Sequence, residues 1–343
     1  MTKQKIFSYA CPSCRREIEY QDDHYQYHCS ACNRDFLIYQ GIPDFRLRPM
    51  SSQELGQVET ILKRFNSMDY EELLRLRINF SSLPEGLLEK HLRHELLSRE
   101  RGEIRLAKIK HLINRSGSSF QGRERCLDLG CGGGSTLFTL AGHFKEAVGI
   151  DISLVDLLLA RKLFAVYGIE NVTLVCGSGL EMPFLDGCFD LINATDVIEH
   201  MPDQEGFLEE AYRVMARGGY FCFNSPNRFN IFGPEPHVDL WGVGFLPRRY
   251  MNAYVRLFKG ADYKYKNLLS LFELKRLMAG MGGGEYFITG SIVDRNLPQR
   301  SFKGRLAQKF PWLLTAANTL VKPFIPGYEV MVVKQNCESR LIR

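Results

Sequence analysis

The sequence predicts an α/β protein, a parallel sheet covered by helices, with a small cysteine-rich ribbon in front of it. Three observations carry that reading. Between residues 123 and 224, short apolar runs alternate with helical stretches, the pattern of repeated βαβ units. The first of these runs ends in a glycine-rich turn, Asp128-Leu-Gly130-Cys-Gly132-Gly-Gly134. Near the N-terminus, Cys11-Pro-Ser-Cys14 and Cys29-Ser-Ala-Cys32 form two CxxC pairs.

The elements follow in chain order. The stretch EIEYQDDHYQYH between the cysteine pairs suggests a short hairpin. FLIYQGIPDF reads as a closing strand with a Gly-Ile-Pro turn. Residues 51–115 are rich in Leu, Glu and Arg at helical spacing, which predicts two or three helices interrupted at Pro84-Glu85-Gly86. RCLDLG is a strand, and a helix opens near Ser135. AVGIDIS is a strand followed by a helix near 153–167. NVTLVCG and FDLINATD are strands, then come a helix near 203–216 and the strand GYFCFNSPN. A helix near 267–280 and the strands EYFITGSIV and YEVMVVK complete the pattern. The segments are a ribbon over 1–48, a helical linker with N-terminal helices over 49–118, and the α/β domain over 119–343.

The composition narrows the classes. A chain of 343 residues fits two domains, or one with an appendage, at roughly 100–200 residues per domain. Hydrophobic residues at 45% and charged residues at 24% exclude a disordered or fibrous chain. No apolar run reaches the ~18 residues of a spanning helix, and the first residues lack the apolar core of a secretory signal. The formal net charge of +5 is too mild to argue for nucleic acid. Of ten cysteines, six are scattered, most of them in strand-like apolar runs. That usage suits reduced thiols and a cytoplasmic setting better than a secreted disulfide framework.

Two CxxC pairs separated by 14 residues form a strong zinc pattern. Each loop presents two thiolates on one side, and four soft ligands close a tetrahedral structural site at Cys11, Cys14, Cys29 and Cys32. Two disulfides or free thiols are the other readings. His24 and His28 in the spacer are expected on the surface.

The glycine turn closes a strand and opens a helix, where free N–H groups and the helix dipole face a ligand. Such a turn alone also fits NAD enzymes, but the GxGxxG spacing is missing here. Two acids stand in register. Asp128 lies two residues before the first glycine, and Asp151 ends the next strand, where an acid can accept both hydroxyls of a ribose.

DLGCGGG, GIDIS, LEMPFLDGCFDLI and VMARGGYFCFNSPN together resemble the class I S-adenosylmethionine-dependent methyltransferases over roughly residues 100–335. The resemblance implies a Rossmann-like seven-stranded sheet of order 3-2-1-4-5-7-6, with strand 7 antiparallel and S-adenosylmethionine at the strand C-termini. It implies that Asp128 orients the methionine amino group and that Gly130, Gly132 and Gly134 line methionine and ribose. Asp151 takes the ribose hydroxyls, and Ile152 packs on adenine. Ser178 and Gly179 stand where the family has Asp-Ala beside the adenine amine, so Ser178 is a departure. Ala194 falls near the methionine moiety.

Asp196-Val-Ile-Glu199-His200 follows the fourth strand. On a helical turn Asp196, Glu199 and His200 share one face. His200 can act as a base for a hydroxyl, the three can bind a divalent cation such as Mg²⁺, or the cluster simply packs. The ubiquinone-pathway O-methyltransferases resemble this chain in an acid-x-x-Glu-His pattern used with a metal, and their Asn-Arg is echoed by Asn227-Arg228. Downstream, His237 and Asp239 can touch an acceptor hydroxyl and Trp241 and Phe245 can wall it, or the loop is only packing.

Residues 295–325 are basic, without acids, and interleaved with apolar side chains. They read as a solvated helical insertion, or as an amphipathic lid over a lipid-like acceptor or a membrane surface. The expected function is O-methylation of a small-molecule, sugar or lipid-linked acceptor. The alternatives are an rRNA or RNA methyltransferase that grips RNA with its ribbon, and a scaffold that binds the cofactor without turnover.

Overall fold

The computed structural model of the chain describes residues 8–80, 92, 96, 98–117, 119–120, 122–264, 266–281, 284–290 and 321–335. The Pro84-Glu85-Gly86 interruption and most of the basic segment 295–325 lie outside the described residues. The chain divides into two compact units, one drawn from Met1–Thr195, Glu209–Cys222 and Lys334–Arg343, the other from Asp196–Leu208 and Phe223–Val333.

The first unit begins with four short strands, β1 (Glu19–Gln21), β2 (Gln26–Cys29), β3 (Arg34–Tyr39) and β4 (Ile42–Pro43), paired antiparallel in that order. Tyr9, Tyr27, Phe36 and Phe45 are buried among them. The ribbon is fastened to the rest of its unit. Tyr9 forms an antiparallel bridge to Phe184. The Ala10 N–H donates to the Pro183 carbonyl at 3.0 Å. Arg15 forks onto the Glu210 carboxylate at 2.7 and 3.0 Å, and Arg213 donates to the same group. Burial works to raise the Glu210 carboxyl, but the two arginines hold it below the ordinary range.

Three helices follow, α1 (Ser52–Arg64), α2 (Tyr70–Ile78) and α3 (Ser98–Arg115). The first two open on capping boxes, Ser51 with Glu54 and Asp69 with Glu72. In each box the cap side chain satisfies one orphan N–H and the acid three residues on satisfies another. The α/β part then runs β5 (Arg125–Leu129), α4 (Ser135–Ala141), β6 (Glu146–Asp151), α5 (Leu154–Val166), β7 (Val172–Cys176), β8 (Phe189–Ala194), α6 (Gln204–Val214) and β9 (Met215–Pro226). Strand β5 pairs in parallel with β6 and β8, and β6 with β7. Cys126, Leu127 and Leu129 in β5 are buried, as are Ala147, Val148 and Ile150 in β6. A parallel sheet covered on both faces requires such continuous apolar runs.

The second unit carries α7 (Arg248–Lys259), α8 (Leu271–Gly280), β10 (Gly284–Thr289) and most of β11 (Gly327–Lys334). Helix α7 follows directly on a Gly- and Pro-rich stretch, where the sequence pattern predicts no helix. Its Met251 and Val255 pack with Val243 and Tyr263 into a local core. The strand order of the main sheet is β7-β6-β5-β8-β9-β11-β10. Counted from β5 as the first strand, this is the expected 3-2-1-4-5-7-6. Among the described residues, no helix is long and apolar enough to cross a membrane.

Candidate active site

In the first unit the expected cofactor residues converge on the C-terminal ends of β5, β6 and β7. Asp128 is the penultimate residue of β5 and is buried. Gly130, Gly132 and Gly134 adopt φ angles of 73°, 48° and 86°, a region that residues with a Cβ enter only at a cost. That conformation lets the Gly130 and Cys131 N–H groups both donate to the Ile150 carbonyl, at 2.8 and 3.1 Å. Among the described residues, nothing lies within 4 Å of the position a Cβ at Gly132 would occupy. Asp151 ends β6 and accepts the Gly132 and Ser153 N–H groups at 2.8 Å each. Ser178 accepts the Leu180 N–H at 3.1 Å, and Gly179 follows it in a turn. Ala194 ends β8, paired with Leu129.

The two acids are electrostatically primed. Burial pushes the Asp128 carboxyl up to about 7, against the pull of Asn193 and Arg105. Burial likewise lifts Asp151 to about 6, against the N–H groups of Ser153 and Gly132. A ligand that brings an ammonium to one carboxylate and hydroxyls to the other relieves both penalties. Ile152, next to Asp151, is 42% exposed although large and apolar, and it lines a cavity of about 350 Å³ together with Ser178. An open glycine cradle, two desolvated acids and an uncovered apolar side chain fit S-adenosylmethionine.

Sequence reasoning missed the residues behind Asp128. Asn193 donates to its Oδ1 at 2.6 Å, and the Arg105 Nε donates to the Asn193 Oδ1 at 2.8 Å. The signal for Asn193 was present, a polar residue in the otherwise apolar strand FDLINA. Arg105 gave none, because its helix lies outside the motif region.

In the second unit, the chain after β8 regroups the expected acid–histidine cluster. Ile198–His200 is a 3₁₀ turn, and Asp196 has a left-handed φ of 54°. The i, i+3, i+4 face of an α-helix therefore does not form. Asp196 bonds instead with Asn224, its N–H donating at 2.8 Å and its Oδ1 accepting at 2.5 Å. His237 takes the place expected for Asp196. Atoms of Glu199, His200 and His237 that can bind a metal lie within 4.8 Å of one another. Glu199 is 1% exposed, and among the described residues neither carboxylate oxygen has a hydrogen-bond partner. Burial pushes it up to about 7, with Asp196 acting in the same direction and His237 and Lys266 against it.

The two imidazoles are held differently. The His237 Nδ1 lies 2.5 Å from Oε1 of the buried Glu235, and its Nε2 faces Glu199 at 3.9 Å. Glu235 also accepts the N–H groups of His237 and Val238 at 2.9 Å each. A carboxylate on Nδ1 holds the ring with Nε2 turned toward Glu199, and in a neutral ring so held Nε2 is the nitrogen that keeps its lone pair. The Lys266 ammonium lies 3.2 Å from the His200 Nδ1. His200 and Lys266 border a cavity of about 430 Å³, with Arg248, Met251 and Tyr263 also on its wall. Trp241 and Phe245 are exposed.

The four ribbon cysteines come together as their spacing suggested. Cys11 and Cys32 sulfurs are 4.0 Å apart, and Cys14 and Cys29 sulfurs 3.6 Å. Four thiolates at ~2.3 Å from a tetrahedral zinc ion lie about 3.8 Å from one another. The set fits zinc and leaves no open coordination position. His28 pairs instead with the Asp35 side chain at 2.6 Å.

Residues 127–223 match a family model described as a methyltransferase domain. A stretch of 94 residues is 40% identical to ajmaline N-methyltransferase of Rauvolfia serpentina, covering 27% of this chain and 32% of that protein. Another of 154 residues is 30% identical to the chloroplastic tocopherol O-methyltransferase of Arabidopsis thaliana, covering 44% of each. The chain thus spans less than half the length of these relatives. Among solved structures, phosphoethanolamine N-methyltransferase 2 of Haemonchus contortus with S-adenosyl-L-methionine superposes at a TM-score of 0.43 and 16% identity, over 66% of this chain and 52% of that one. By the family match, residues 127–223 form a methyltransferase domain.

Proposed function

We propose that the protein methylates a hydroxyl on a small-molecule, sugar or lipid-linked acceptor. S-adenosylmethionine supplies a methyl group already activated on a sulfonium. What remains for the chain is to hold the donor, align the acceptor and take up the hydroxyl proton. Asp128 holds the amino group, Asp151 the ribose, and Gly130, Gly132 and Gly134 leave room for both. Ile152, Ser178 and Gly179 border adenine, and Ala194 the methionine side. The Glu199–His200–His237 cluster receives the acceptor proton. Lys266 on the wall of the neighbouring cavity favours an acceptor with an anionic substituent, whereas Arg248 on the same wall is already paired with Glu273 at 2.9 Å. Free thiols in apolar strands suit a reducing, cytoplasmic setting.

The observation that carries this reading is the orientation of His237 by buried Glu235, which leaves an imidazole lone pair available. It extends the expected base, His200, to a pair of histidines. Methyl transfer to a panel of phenols and hydroxy acids tests it. His237→Ala should lower turnover by ~10²–10⁴-fold with little change in cofactor affinity. Turnover at the wild-type rate with the true acceptor overturns the role. Retention on RNA that weakens steeply with salt, with methyl transfer to that RNA, identifies an RNA acceptor instead.

The Glu199 oxygens, which lack a hydrogen-bond partner among the described residues, favour a second reading, in which Glu199, His200 and His237 would hold a divalent cation that would lower the acceptor pKa. The donor set, two imidazoles and one carboxylate, suits a transition metal better than Mg²⁺. Activity lost on chelation and restored by a stated metal supports it. Activity indifferent to chelator leaves the histidines as bases.

A further inference from the structure

The chain that leaves the ribbon does not turn away from the α/β sheet. Asp44 forms a parallel bridge with Cys176, the last residue of β7, and the Phe45 N–H donates to the Cys176 carbonyl at 2.7 Å. The Phe45 ring, fully enclosed, sits 4.8 Å from Tyr9, 5.5 Å from Tyr27 and 5.1 Å from Phe36, centroid to centroid. Tyr27 belongs to β2, which ends at Cys29. The ribbon core and the thiolate cluster therefore share one short strand, and that strand seats Phe45.

Arg46 comes next. Its side chain is 2% exposed. The Nε and Nη2 donate to the Asp44 carboxylate at 2.8 and 2.6 Å, and Nη1 donates to the Ile152 carbonyl at 3.2 Å. A guanidinium buried this far is tolerated only when paired and hydrogen-bonded, and each of its partners here is fixed in place. Arg46, Leu47 and Arg48 then line the same cavity of about 350 Å³ as Ile152, Ser178 and Glu181. Half of the wall around the open face of Ile152 thus comes from the ribbon's exit segment.

We propose that the ribbon is a working part of the cofactor site: its exit segment, Asp44–Arg48, builds one wall of the adenine pocket, with Arg46 as a positioning residue, so that metal at the four cysteines raises affinity for the adenine nucleoside. The inference rests on reading the ends of β6 and β7 as the adenosine site. The coupling runs through packing. Metal holds Cys29 and hence β2, β2 seats Phe45 through Tyr27, and Phe45 sets the backbone from which Arg46 grips Ile152 and Leu47 faces the cavity. The ribbon then acts as an internal clamp on the donor and needs no partner of its own.

The test uses the full chain and S-adenosylhomocysteine as the probe, with affinity read by calorimetry. Arg46→Met should weaken binding about tenfold while the zinc content stays unchanged, and Arg46→Lys should recover part of the loss. Chelated protein and Cys14→Ser should lose affinity to a similar degree. A contact readout is independent of folding losses: with Leu47 methyl groups labelled, bound S-adenosylhomocysteine should give nuclear Overhauser effects between them and the adenine protons. Ile152 methyl groups serve as the control. Wild-type affinity in Arg46→Met and in chelated protein, with adenine effects to Ile152 but none to Leu47, overturns the inference and leaves the cofactor reading intact. No S-adenosylhomocysteine binding by the wild-type protein removes both.

Discussion

Asp151 shows how one residue sets cofactor affinity. Its two oxygens already accept backbone N–H groups, so the remaining lone pairs are held in fixed directions at the end of β6. Charge-assisted hydrogen bonds are worth ~1.5–3 kcal/mol each, so Asp151→Ala should weaken S-adenosylmethionine binding at least about tenfold. Calorimetry checks this, and equal affinities refute the assignment. The pH dependence has a definite sign. Burial raises the free carboxyl to about 6, and the ribose hydroxyls require the ionised form. Binding below that value must expel a proton, so affinity falls as pH falls through about 6. Between pH 7.5 and pH 5 Asp151 should contribute a loss of roughly tenfold, and Asp151→Asn should remove that part and leave the part due to Asp128, whose carboxyl burial raises to about 7. Affinity that is flat over this range excludes the role.

At the scale of an element, the glycine turn between β5 and α4 is where shape dominates. Gly134 is the N-cap of α4 at φ 86°, and a Cβ there would stand 2.8 Å from the Phe164 ring and 3.2 Å from the Ala160 methyl. Gly134→Ala therefore combines a left-handed conformation, costing about 1–2 kcal/mol, with a push against α5. The melting midpoint should fall by about 3–6 °C, and S-adenosylhomocysteine affinity should fall with it. Gly168→Ala is the comparison. Gly168 is also left-handed, at φ 64°, but among the described residues nothing lies within 4 Å of the new Cβ. It should cost stability alone, and an equal loss of cofactor affinity in both variants would show that the α4 N-terminus plays no special part.

At the scale of the whole molecule, the ribbon is joined to the α/β sheet by the Tyr9–Phe184 bridge, the Arg15–Glu210 fork and the Phe45–Cys176 hydrogen bond. Elemental analysis should find about one zinc per chain, and less than half an equivalent with mapped disulfides contradicts the site. Cys14→Ser should lose the metal and the hydrogen-exchange protection of β1–β3. Protection of β5, β6 and β8 should persist, because their ladder is buried on its own account. Loss of protection throughout would mean that the sheet depends on the ribbon for folding.

The sheet was legible because its rules are local. Apolar runs of five or six residues, glycines where φ must turn positive and an acid at each strand end mark β5, β6 and the turn between them without reference to anything distant. The CxxC spacing is local in the same sense, since two short loops carry the ligands. Tertiary structure alone decided what meets what across long stretches of chain. His237 joins Glu199 and His200 from a loop 37 residues past His200, a placement that no periodicity encodes. Asp196 drops out because its backbone turns left-handed and bonds to Asn224, which an assumed α-helical face could not anticipate. Arg105 reaches Asp128 through Asn193, and Arg46 reaches Ile152 from 106 residues away. Periodicity reports the face a side chain uses, because burial follows the repeat of the element. The identity of its partner depends on how the elements pack, and packing is a property of the folded chain.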